Sequence, residues 1–115
     1  LNSGLEGNFR LCFFCPELRT FLIYFEWDEN KNRINQRKHG ISFEDVKSVF
    51  MDEYAILFDD PDHSESEDRF LIIGMSNVKG VCIVSHCYRN ADETIRIISA
   101  RKATRTEQSF YDEQL

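Results

Sequence analysis

Ile95-Arg96-Ile97-Ile98-Ser99-Ala100-Arg101-Lys102-Ala103-Thr104-Arg105 is the stretch in which the chain changes from one backbone period to another. It opens as an apolar, β-branched run suited to a buried strand. It then leads into Thr106 and Glu107, so that Thr104 and Glu107 stand three residues apart, the spacing of a capping box. A strand therefore ends near Arg101-Lys102 and a helix begins near Thr104. Four cations, Arg96, Arg101, Lys102 and Arg105, fall in this stretch of a chain whose net charge is −6. Such a local reversal of sign at an element end suits a polyanion, phosphate first. It suits equally a solvated face whose cations pair with nearby acids.

Outward from this stretch the elements follow in order. Val81 to Tyr88 and Arg69 to Met75 read as strands, joined by Ser76-Asn77-Val78-Lys79-Gly80 as a hairpin loop. Tyr54 to Phe58 is a further strand. Ser42-Phe43-Glu44-Asp45 predicts a helix capped by Ser42. Phe43, Val46, Val49 and Phe50 lie on its apolar side, and Ile41 is placed to staple Val46. Asp28 is a natural N-cap for Glu29 to His39, a polar helix with Ile34 as its main apolar anchor and Gly40 as its stop. Phe21 to Trp27 is the first strand, and the closing helix runs from Thr104 towards Glu113 with Phe110 on its apolar side. The order β-α-α-β-β-β-β-α predicts an α+β fold, a small, mostly antiparallel sheet with helices packed on it. Residues 21–115 are expected to form the domain. Residues 1–20 are expected to be an extension or a cloning remnant, with only the last few entering the fold.

The 115 residues suffice for one core, and 42% hydrophobic with 30% charged residues is ordinary for a globular chain. A pI near 5.0 argues against an indiscriminate nucleic-acid coat protein. It does not exclude a nuclease, which needs only a local field. Charge is unevenly spread. Asp52, Glu53, Asp59, Asp60, Asp62, Glu65, Glu67 and Asp68 fall together with no Lys or Arg among them, whereas Lys31, Arg33, Arg37 and Lys38 are all positive. The acidic block suits a solvated loop, a face for a basic partner, or a metal site. Cys12 and Cys15 form one CxxC without a second close pair, weak for zinc. Cys82 sits in an apolar strand, so free thiols and a cytoplasmic setting are expected. The apolar patches between Arg10 and Tyr24 are too short and too broken to span a membrane.

Three blocks together resemble the BrnT family of bacterial toxins. The first is Phe25-Glu26-Trp27-Asp28-Glu29-Asn30-Lys31 with Asn35-Gln36-Arg37-Lys38-His39-Gly40-Ile41-Ser42-Phe43. The second is Asp60-Pro61, Glu67-Asp68-Arg69 and Ile73-Gly74. The third is Ile95 to Ala103 with Glu107 and Tyr111. The resemblance covers about Phe25 to Tyr111. It implies a RelE-like fold and the toxin half of a type II toxin–antitoxin pair, which cleaves RNA and arrests translation. It also implies a BrnA-like partner, a ribbon-helix-helix antitoxin that neutralises the toxin and carries it to operator DNA.

RNA cleavage without a metal uses the neighbouring 2′-hydroxyl as nucleophile. The enzyme takes its proton, stabilises the charge gathered at phosphorus and protonates the leaving 5′-oxygen. Arginine suits the second task, because its planar fork meets two phosphate oxygens and keeps its charge. Arg69, Arg96 and Arg101 are therefore expected to hold the phosphate, with Lys102 assisting. His39, His86, Glu107 and Tyr111 are candidates for acid and base. His39 ends a helix, where a cation is favoured, and a plain C-terminal capping contact is its alternative. His86 reads as structural, Tyr111 as catalytic or core, and Glu107 as catalytic or merely a cap. Arg33, Arg37, Lys38, Arg89 and Arg105 are the candidate substrate-binding cations. No cofactor and no metal is expected.

Two other readings stand beside this one. A non-catalytic module would bind a partner protein through the basic strand end. A metal-dependent nuclease would use Asp59, Asp60, Asp62 and Glu65.

Overall fold

The computed structural model describes residues 6–11, 21–60, 68–91 and 93–115. Apolar, β-branched runs pair into a sheet of six strands. They are β1 (Glu6–Leu11), β2 (Phe21–Glu26), β3 (Ile56–Asp59), β4 (Phe70–Ser76), β5 (Gly80–Arg89) and β6 (Thr94–Lys102). Their spatial order is β1-β2-β6-β5-β4-β3. The β3-β4-β5-β6 run is antiparallel throughout, and the short connections of β4 to β5 and β5 to β6 require it there. β2 joins it through a parallel pairing with β6, Tyr24 to Glu26 against Thr94 to Arg96. β1 lies within the stretch expected to be an extension, and it pairs antiparallel with β2 on its outer side. The Cys12–Cys15 pair lies outside the described residues.

The main core lies on one face of the sheet. Phe25, Ile72, Cys82, Val84, Ile95, Ile97 and Ala100 point into it from the strands. Ile41, Phe43, Val46, Val49 and Phe50 close it from above. The segment carrying Val46, Val49 and Phe50 is a 3-10 helix, Glu44–Met51, and not the expected α-helix. The spacing explains this. Phe43, Val46 and Val49 are three apart, and only a three-residue turn stacks i and i+3 directly over one another. The expected cap is present nonetheless, since Asp45 N donates to Ser42 Oγ at 3.2 Å and Ser42 N to Asp45 Oδ2 at 3.1 Å. The second face of the sheet carries a smaller cluster of Ile73, Val81, Ile83 and Tyr111, formed where α2 (Arg105–Asp112) packs on it. The buried aromatic of α2 is Tyr111, 3% exposed, and not Phe110, 53% exposed.

α1 (Glu29–His39) is capped by Asp28, whose carboxylate accepts from Asn30 N at 2.8 Å, and ends on Gly40 at φ 72°. Ile34 does not anchor it, being 54% exposed. Its buried side chains are Asn32 and Asn35. β2 stops at Glu26, so β6 has no neighbouring strand beyond Arg96 on that side. Asn35 takes the neighbour's place. Its Nδ2 donates to Ala100 O at 2.8 Å, and Ala100 N donates to its Oδ1 at 3.1 Å. The same Nδ2 also reaches Ile41 O at 2.9 Å. Asn32 Oδ1 accepts from Phe43 N at 2.8 Å. An apolar helix face would leave these backbone groups buried and unpaired, which costs more than burying an amide that satisfies them.

Candidate functional site

Register places the sequence-selected cations on the face of the sheet opposite the main core. Ile95 and Ala100 belong to that core, so Arg96 and Arg101, each one residue on, point away from it. Phe70 pairs with His86 on the core side, and the same alternation turns Arg69, the residue before β4, to the second face. The three arginines thus share a face but not a pocket. Arg96 lies opposite Cys87 and Arg101 opposite Ile83. Along β6 they stand roughly 15 Å apart.

Each β6 arginine is held by its own carboxylate. Arg96 Nη1 donates to Glu26 Oε2 at 2.9 Å, and Arg89 approaches the same oxygen at 3.9 Å. At the other end, Arg101 meets Glu107 in a two-point fork, Nη1 to Oε1 at 2.9 Å and Nη2 to Oε2 at 3.0 Å. Glu107 is also the anticipated capping residue. Its Oε1 accepts from Thr104 N at 2.8 Å, and its own N–H donates to Thr104 Oγ1 at 3.2 Å. The hydrogen bond from Arg101 holds the Glu107 carboxyl below its ordinary range, and the same contact raises the guanidinium of Arg101. A carboxylate so occupied is a positioning group for Arg101 and not a free base.

Between α1 and β6 lies a cleft of 430 Å³. Lys31, Ile34, Lys38 and His39 form its helical wall, and Ile98, Ser99 and Arg101 its strand side. The wall follows from helical spacing, since residues 31, 34, 38 and 39 fall on one face. The cleft brings together three of the selected residues, Lys38, His39 and Arg101, and adds Lys31. Lys31, Lys38 and His39 are exposed. It leaves out the others. Arg37 borders a second, shallower hollow with Ile34 and Lys38, outside the cleft. Arg33 is exposed and donates to Asn30 Oδ1 at 2.7 Å. Lys102 and Arg105 are exposed at the end of β6 and the start of α2. Arg69, Arg89 and Arg96 belong to the far end of the face.

The remaining acid–base candidates are built into the interior. Tyr111 donates its hydroxyl to Asp52 Oδ2 at 2.6 Å, and burial together with that bond raises its phenol. His86 is fully buried among Phe50, Phe70 and Tyr88, with Nε2 3.1 Å from the Tyr88 hydroxyl. Burial lowers its pKa to about 4, so it stands neutral in the core. Both Cys82 and Cys87 are buried thiols, and burial raises Cys82. Among the described residues no three His, Cys, Asp or Glu stand together as a metal-binding group. Of the carboxylates considered for metal, Asp62 and Glu65 lie outside the described residues.

The sequence model of a known family matches residues 27–107, described as the ribonuclease toxin BrnT of a type II toxin–antitoxin system. The chain belongs to the BrnT family. A solved BrnT, the Brucella abortus ribonuclease toxin, is similar in fold. It aligns with a TM-score of 0.54 and 30% identity over 69% of this chain and 94% of that chain. No curated protein matches the chain. The BrnT match spans every element from α1 into the first turn of α2, and so includes both walls of the cleft and the Arg101–Glu107 pair. Two residues of this BrnT face are absent from the site residues the sequence selects. Lys31 lies one face-length before Lys38, a spacing that was legible. Glu26, the partner of Arg96, is joined to it only by the long-range β2–β6 pairing.

Proposed function

We propose that this chain is the toxin of a type II toxin–antitoxin pair, a metal-independent endoribonuclease that acts in the cytoplasm and arrests translation. The observation that carries the reading is the cleft between α1 and β6, in which three cations and an imidazole surround one concavity on a protein of net charge −6. Such a site concentrates positive potential on a chain that is acidic overall, so a phosphodiester is drawn there. Lys31, Lys38 and Arg101 hold the scissile phosphate, and Glu107 fixes the Arg101 fork from behind. His39 moves the proton, either from the 2′-hydroxyl or onto the leaving 5′-oxygen. The new bond joins the 2′-oxygen to phosphorus, the bond to the 5′-oxygen breaks, and a 2′,3′-cyclic phosphate and a 5′-hydroxyl result. Arg69, Arg89 and Arg96, further along the same face, bind the flanking backbone. A BrnA-like ribbon-helix-helix antitoxin neutralises the toxin, and operator DNA is reached only through that antitoxin.

The test is cleavage of a single-stranded RNA by the purified chain in chelator, with His39→Ala, Lys38→Ala and Arg101→Ala variants of confirmed fold. Activity is expected to persist in chelator and to fall by about a hundredfold in Arg101→Ala and His39→Ala. Undiminished cleavage by these variants would remove the cleft from the chemistry.

A second reading, a non-catalytic protein-binding module, is favoured by one observation. Both β6 arginines are already engaged by carboxylates of the same chain. Growth arrest on expression of the chain alone, relieved by its neighbouring antitoxin gene, distinguishes the toxin from this module.

A further inference from the structure

Among the described residues the sheet ends at β3, whose outer edge has no neighbouring strand. An open edge presents a row of backbone N–H and C=O groups that another strand can pair with. β3 carries Ile56, Leu57 and Phe58 with no Lys or Pro to guard it, and Leu57 is 51% and Phe58 39% exposed. Beside this edge, on the face that bears α2, lies a groove of 510 Å³. Ile56, Phe58, Ile73 and Phe110 form its apolar walls, and Glu107 and Glu113 its charged rim. Phe110 is the residue expected from the sequence to face the core. Instead it stands 53% exposed at this groove.

The charge around the groove selects its occupant. No Lys or Arg lines the groove, and its two acids are Glu113, which is exposed, and Glu107, whose carboxylate Arg101 already holds. A second copy of the chain would bring this acid against itself. A basic segment would meet the acid of the rim, Glu113 first.

We propose that the β3 edge and the adjoining groove form a docking surface for an extended segment of a partner protein that carries apolar side chains and several cations. The segment adds a strand to the sheet. Its backbone pairs with β3, its apolar side chains enter the groove, and its cations meet the acidic rim. Backbone pairing supplies affinity, and the groove and the acids supply specificity. This surface does not depend on the ribonuclease reading, because binding is measured with no RNA present.

The probe is a fluorescent peptide of about nine residues alternating leucine with lysine, the length of one strand. Its counterpart has glutamate for lysine. The lysine peptide is expected to bind the full chain by fluorescence anisotropy, and the glutamate peptide to bind far less. Phe110→Ala and Glu113→Lys, both changes of exposed side chains, should each weaken the lysine peptide about tenfold. Glu44→Lys, an equal charge change on the distant 3-10 helix, should leave binding nearly unchanged. Equal binding of the two peptides, or equal loss in Glu44→Lys and Glu113→Lys, would reduce the effect to net charge and overturn the proposal. So would self-association of the chain in sedimentation that Phe110→Ala abolishes, since the occupant would then be a second copy.

Discussion

Asn35 shows how one side chain settles a local question. A strand edge left open by its neighbour needs one donor and one acceptor at a fixed spacing, and a carboxamide offers both. Asn35 supplies them to Ala100 while also meeting Ile41 O, so its polarity is the reason it is buried. His86 is the opposite case, a titratable group enclosed by aromatic rings. Its pKa of about 4 in the fold lies below the ordinary 6.5, so the unfolded chain takes up a proton before the native one does. Its contribution to stability is full above pH 6.5 and is lost as the pH falls from 6.5 towards 4. Urea unfolding should lose about 2 kcal/mol between pH 7 and pH 5 through this residue alone. His86→Phe should flatten that part of the profile; an unchanged slope in the variant would show that other groups carry it.

Elements add constraints that single residues do not. The capping box at Thr104 and Glu107 forms as the spacing required, and the Arg101 fork on Glu107 ties the start of α2 to the end of β6. Arg101 is 42% and Glu107 22% exposed at the side chain, so solvent screening keeps this pair below about 1 kcal/mol. Its value is geometric, since it fixes the guanidinium at the cleft. The approach of the 3-10 helix to β4 is closer still. A Cβ on Gly74 would stand 3.0 Å from Val49 Cγ1 and 3.1 Å from Val49 O, and the carbonyl belongs to backbone that cannot rotate aside. Gly74→Ala should therefore cost about 1–3 kcal/mol, read as a lowered urea midpoint. A midpoint equal to that of the parent chain would mean that the helix slides over the sheet without resistance.

At the scale of the molecule the dominant feature is a cationic concavity on an anionic protein. If Lys31, Lys38 and Arg101 each displace a counterion from single-stranded RNA, log affinity should fall with log salt at a slope of about −2 from the cleft, steeper where the arginines further along the face also meet phosphate. An RNA with deoxyribose at the scissile position measures this without turnover. Lys38→Ala should reduce the slope by about 0.7, whereas replacement of Arg33, on the outside of α1, should leave it nearly unaltered. A slope near zero in the parent chain would place RNA elsewhere than the cleft. The apolar groove at β3 lies at the far edge of the sheet and meets the cleft through Glu107, which rims the groove and holds Arg101.

The sequence by itself determined the class of fold, the meander of β4 to β6, the hairpin turn, the capping box at Thr104 and the Ser42 cap. Each is a short-range matter, decided by alternation, by a three-residue spacing or by a hydroxyl beside its own helix. It also marked Lys38, His39 and Arg101, because charges at helix and strand ends reach solvent in most packings. Tertiary structure decided what spacing cannot express. Parallel pairing with β2 set Glu26 on Arg96, and the shortness of β2 exposed an edge that made Asn35 core and left Ile34 outside. The cations of β6 were thereby divided between two stations. Those outcomes join residues 65 and 70 positions apart. No local propensity encodes such a distance, since it is fixed only when the strands choose their neighbours.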